Sequence, residues 1–111
     1  MEAKVVYQKD VELTDLGGGV RRRVLAYNQQ LMIVEVHFEK GGVGSVHTHP
    51  HYQSTYVKSG RFRFEIDGRE AEVGAGDTIA FPGGIAHGAT CLEAGVLLDI
   101  FTPMREDFVK G

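Results

Sequence analysis

Apolar and polar side chains alternate with a period of two in one short run after another, and glycine or an Asp-Gly pair separates the runs. In Arg61 to Ile66 the residues Phe62, Phe64 and Ile66 share one parity, and Asp67-Gly68 follows as a hairpin signal before Arg69 to Val73. Such alternation, with turns so close together, means antiparallel all-β structure. The same reading gives strands at Ala3 to Tyr7, Val20 to Tyr27, Leu31 to Phe38, Thr78 to Phe81, His87 to Leu92 and Val96 to Phe101. It also gives a hairpin in which Tyr52 to Lys58 turns at Ser59 and Gly60 into Arg61. Helical periodicity is confined to one turn in Arg105 to Val109. Many short strands without helices close as a sandwich or barrel, and a double-sheet jelly roll is the economical choice.

With 111 residues the chain fits one domain around a single core. A formal net charge of -3 argues against a nucleic-acid partner, and the basic run Arg21, Arg22, Arg23 reads as a solvated or edge-protecting face. No apolar run reaches membrane-spanning length, the N-terminus has no signal core, and the single Cys91 has no intrachain disulfide partner. No membrane association and a cytoplasmic location are therefore expected.

Between Gly41 and Gly60 three imidazoles and an amide fall within seven residues: His47, His49, His51 and Gln53. On an extended strand His47 and His49 project from one face, where both rings can share a transition-metal ion, and an amide oxygen can complete the set. The plain alternative is a pair of surface-loop histidines beside a Pro turn. His51 follows Pro50, which leaves its parity open, and reads as pocket wall or support rather than ligand. His37 stands alone among hydrophobics and reads as a packed or hydrogen-bonded histidine. Near the C-terminus Asp99 and Phe101 share a strand face, with Arg105 just beyond Pro103. An inward carboxylate among Val96, Leu97, Leu98 and Ile100 is costly unless paired or used, and a salt bridge to Arg105 is the plain alternative.

Gly41, His47, His49, Gln53 and Gly60, at these spacings, resemble the first motif of the cupins, with Gln where most cupins carry Glu. Gly76, Pro82, Gly84 and His87 resemble the second, with Cys91 where an Asn is often found. The resemblance implies a single-domain cupin double-stranded β-helix, a jelly-roll β-barrel spanning residues 1–111 with its core at about 30–102. Spacing alone leaves His87 unplaced; the resemblance implies that it joins His47, His49 and Gln53 as ligands of one divalent transition metal ion. A neutral shell of three histidines and a glutamine leaves the ion's charge uncancelled, and suits Ni, Zn, Mn, Fe and Co alike.

A narrower resemblance rests on HTHPHYQ, SGRFRF and GVLLDIFTPMREDF, which are similar to segments of the small pectin- and alginate-degradation cupins that linearise 4,5-unsaturated monouronates. Asp99, Phe101, Pro103, Arg105, Asp107 and Phe108 match that group's ending position by position, while Tyr52 stands where the group usually has Glu. This resemblance implies an isomerase-type enzyme acting on a small anionic sugar. Asp99 is the expected general acid/base, the metal the Lewis acid, Arg105 a forked clamp for the carboxylate and Phe101 a wall for the sugar face. A homodimer is also expected, as small cupins often pair sheets or exchange terminal strands. Two other readings of the same motifs are a non-catalytic cupin that binds a metal or sugar acid, and a cupin dioxygenase, which requires iron and oxygen.

Overall fold

Two long antiparallel strands organise the computed structural model, which describes residues 2–110. After a 3-10 turn at Gln8–Asp10 the strands are β1 (Thr14–Gly17), β2 (Val20–Tyr27), β3 (Met32–Phe38), β4 (Val43–His47), β5 (Tyr52–Ile66), β6 (Arg69–Gly74), β7 (Thr78–Phe81) and β8 (His87–Thr102), and the helical turn α1 (Glu106–Val109) follows. All the pairings are antiparallel, in the order β1-β2-β3-β8-β5-β6, with β4 on β8 and β7 on β5. The first half of β5 lies between β8 and β7, and its second half between β8 and β6. Likewise β8 runs beside β4 near its start and beside β3 near its end. The two long strands therefore belong to both layers of a jelly roll. The all-β reading holds.

Period-two alternation fills the interior. Met32, Val34, Val36 and Phe38 of β3 point inward, and meet Val57, Phe62 and Phe64 of β5 and Leu97 and Phe101 of β8 in one buried cluster. Phe38 and Phe62 pack edge to face with centroids 5.2 Å apart. Cys91 is a core residue, 2% exposed, whose Sγ donates to the Glu93 carbonyl at 3.0 Å. The Asp67-Gly68 hairpin forms as expected, with φ of 50° and 79° at its two corner residues.

Three expected elements differ. Ser59-Gly60 is not a hairpin turn, and β8 does not break after Leu92; both long strands run through, with register shifts between Val57 and Phe62. The glycines mark a bulge where the two backbones cross too closely for side chains: a Cβ on Gly60 (φ 83°) would meet the Glu93 carbonyl at 2.6 Å, and one on Gly95 would collide with that of Ser59. This kink carries β5 and β8 from one layer to the other. Ala3 to Tyr7 forms no strand, because no strand lies beside it to complete a ladder. Conversely, β1 was not anticipated, since TDLG has no apolar alternation.

Glu35 sits on the outer face of β3 yet is only 2% exposed, covered by the turn at Gln8–Asp10. Gln8 Nε2 donates to both carboxylate oxygens at 2.8 and 3.1 Å, Arg23 Nε lies 3.1 Å away, and His37 Nε2 lies at 2.6 Å. His37 is thus a hydrogen-bonded histidine, as read. Burial works to raise the Glu35 pKa, but the hydrogen bonds of His37 and Gln8 and the charge of Arg23 outweigh it and hold the group below its ordinary value of 4.5. A depressed folded-state pKa gives stability that is present above the unfolded pKa and lost as pH falls through the folded one. We expect Glu35→Gln to lower stability at pH 7 by about 3 kcal/mol and to flatten the acid-side loss of the urea midpoint; an unchanged pH slope would refute the assignment.

Candidate metal centre and facing carboxyl

His47 ends β4 and pairs directly with His87, the first residue of β8. His49 lies beyond β4, so shared strand parity does not align it with His47 as expected. The loop does so instead. Gly84 N–H donates to the His49 carbonyl at 2.8 Å, and the Pro50 carbonyl presses on Gly83 where a Cβ would stand. The Pro82-Gly83-Gly84 turn thereby holds His49 beside the strand that bears His87. The ligand atoms of His47, His49 and His87 all lie within 4.8 Å of one another.

Each of these rings makes one backbone contact through Nδ1: His47 to the Ser45 carbonyl at 2.8 Å, His49 to that of His51 at 3.1 Å and His87 to that of Ile85 at 2.9 Å. A carbonyl only accepts, so each Nδ1 carries the proton and each Nε2 presents a lone pair. The amide of Gln53 adds a fourth. Its Nε2 donates to Thr55 Oγ1 at 2.9 Å, which turns Oε1 toward His49 Nε2, 3.0 Å away. Two acceptors at that distance have no proton to share, and four converging lone pairs fit a cation. Burial also lowers the pKa of His49 and of His87, which favours the neutral ring that a metal requires. His51 lines no part of this cluster; it supports His49 from behind, with ring centroids 5.4 Å apart.

Asp99 faces the same interior. It pairs with Thr55 across the β5–β8 ladder, and the Thr55 hydroxyl, itself 1% exposed, donates to Asp99 Oδ1 at 2.6 Å. A hydrogen-bonded path runs from the Gln53 amide through Thr55 to the carboxyl. Burial pushes the Asp99 pKa up to about 6, against the hydrogen bonds of Thr55 and Gln53 and the charges of His47 and Arg105. Asp99, Phe101 and Arg105 line a cavity of about 230 Å³ with His47, Gln53 and His87. The salt bridge weighed for Asp99 and Arg105 does not form, because Arg105 is forked onto Asp107 at 2.9 and 3.1 Å. That pairing in turn holds the Asp107 carboxyl below its usual range. Tyr52, at 63% exposure, does not line the cavity.

Sequence reading missed three residues here. Thr55 follows Gln53 by two on β5, so parity alone places both on the inner face. Arg22 lines the cavity, and Val20 two positions earlier is the signal: both face inward, opposite Phe38 and Val36. Phe108 enters the sequence reading only as part of a motif; in the structure its ring meets both arginines, with the Arg22 guanidinium 3.8 Å and that of Arg105 4.3 Å from its centroid.

A β-jelly roll that gathers three imidazoles and an amide at its mouth is the architecture of the cupins, and the cupin domain model matches residues 34–101; the chain belongs to that family. More particularly, it is 39% identical over 97 residues to the pectin degradation protein KdgF of Dickeya dadantii (strain 3937), covering 86% of this chain and 88% of the relative. The solved KdgF of a Halomonas species superposes with a TM-score of 0.92 at 32% identity, covering 97% of this chain and 100% of that one. An RmlC-like cupin from Shewanella frigidimarina NCIMB 400 gives 0.92 at 41% identity, with 97% of each chain covered. Among the described residues no helix is long and apolar enough to cross a membrane.

Proposed function

We propose that the protein opens the ring of 4,5-unsaturated monouronates derived from pectin or alginate and converts them to linear 4-deoxy-5-keto-uronates. The carrying observation is the single cavity in which Asp99 faces His47, Gln53 and His87 beside arginines; the kinship to a pectin degradation protein supports it. The substrate is a cyclic hemiacetal whose ring oxygen is bonded to C5 of the C4-C5 alkene, next to the carboxylate. Breaking the C1–O5 bond as the C1 hydroxyl gives up its proton to a base leaves an aldehyde and a C5 enolate. The enolate becomes a ketone when that one proton is delivered to C4. No oxidant or reductant is needed.

In this reading Asp99 accepts the hydroxyl proton and returns one to C4, and a carboxyl with a pKa near 6 is suited to both tasks at neutral pH. The Thr55 hydroxyl fixes Oδ1, which leaves the other carboxyl oxygen to serve the substrate. Arg105 holds the uronate carboxylate, and Phe101, 3% exposed, walls the sugar face. His47, His49, Gln53 and His87 hold one divalent transition metal ion, which when bound supplies positive charge for oxygen as it becomes anionic. A homodimer fits the outer apolar face around Tyr27, Leu31, Ile33 and Ile100, and sedimentation at a single-chain mass would argue against it.

Ultraviolet absorbance of the conjugated alkene tests the proposal. Metal-loaded protein is expected to make it decay at the same rate in air and without oxygen. No decay points to a binding protein, and an oxygen requirement to a dioxygenase.

A further inference from the structure

Among the three consecutive arginines of β2, Arg22 alone turns inward, while Arg23 is held by Glu35 on the opposite face. Arg22 lines the same cavity as Asp99 and His87. Arg105, beside it on the Phe108 ring, already has Nε and Nη2 on the two oxygens of Asp107. Among the described residues Arg22 makes neither a side-chain hydrogen bond nor an ion pair; its guanidinium lies over the face of Phe108. Its fork is therefore the one with no acceptor bonded to it directly. Burial lowers the Arg22 pKa, Asp107 acts to raise it, and the like charge of Arg105 lowers it further, so an anion between the two guanidinium groups relieves both.

We propose that Arg22 is a second carboxylate-binding residue, taking the acid group of the substrate together with Arg105 across the Phe108 platform. The inference rests on the uronate reading and deepens it. Arg105 keeps only part of its donor set free of Asp107, whereas Arg22 can offer a whole planar fork. Contact with one shared ring holds both cations in place before any ligand arrives. The contact exists equally in bound substrate and in the transition state, so its loss raises KM and leaves kcat nearly unchanged.

The test compares the parent with R22M, R22Q and R22K. It measures kcat and KM for unsaturated galacturonate, and inhibition by saturated galacturonate and by neutral galactose. R22M is expected to raise KM and the galacturonate inhibition constant by about 10–100-fold, with kcat within about threefold and galactose inhibition unchanged. R22K should recover part of the loss. Should R22M melt below the assay temperature, R22Q and R22K carry the same comparison. Parent-like galacturonate binding in a folded, uncharged variant overturns the assignment. Equal weakening toward galactose and galacturonate also overturns it, since that marks Arg22 as packing for Phe108. If the parent itself turns over no unsaturated uronate, the functional reading fails separately; calorimetric titration with galacturonate then decides on Arg22, with binding lost in R22M supporting it and no binding by the parent overturning it.

Discussion

Replacing Asp99 by alanine is expected to lower kcat on unsaturated galacturonate by about 10²–10⁴-fold, the usual worth of a positioned acid/base group. Metal content should stay at the parent's level. Asp99 is not itself one of the four candidate ligands; it meets the set through Gln53 and the Thr55 hydroxyl, and the hydroxyl that loses its acceptor can still receive the Gln53 amide hydrogen. The loss should fall on kcat and kcat/KM alike, because the proton moves in the transition state rather than on binding. Removing a carboxyl whose pKa burial has raised to about 6 also removes a charge that the folded state resists at pH 7. Asp99→Ala should accordingly melt no lower than the parent. Turnover at the parent rate would show that another group moves the proton.

The second large effect concerns the ligands. His87→Ala is expected to weaken metal binding by more than about 100-fold, since removing even an outer partner of a ligand costs 10–100-fold. Elemental analysis after gel filtration should then find less than about a tenth of an equivalent per chain, with turnover at background. Of the three histidines that could hold an ion, His87 lies on β8, whereas His47 and His49 come from β4 and the loop after it, so its loss opens the set on one side. Re-addition of metal should restore the chelated parent and fail to restore the variant. A fully loaded, active His87→Ala protein would mean that the convergent lone pairs are not the metal site.

What could be read from the sequence divides along physical lines. Local rules placed the parts that depend on neighbours in the chain: the alternation of β3, the Asp67-Gly68 turn, and the shared inner face of Asp99 and Phe101. They failed where a residue's meaning depends on a distant strand. Gly60 reads as a turn because its freedom is visible, while the carbonyl of Glu93 that requires it belongs to β8. His49 was aligned with His47 by strand parity, but the Gly84 hydrogen bond is what brings it there. His87 enters the candidate set only by family resemblance, because its pairing with His47 lies between strands distant in the chain. The arginine run differs again, since its composition suggests surface while its alternation with Val20 and Val24 turns Arg22 inward.

Deuterium uptake offers the most direct measurement. With unsaturated galacturonate in D₂O and metal-loaded protein, proton NMR is expected to show the vinylic C4 signal vanishing far faster than in buffer, while one deuteron appears at C4 of a linear keto product. A C4 signal that decays no faster with protein than without it would contradict the account, however tightly the sugar binds.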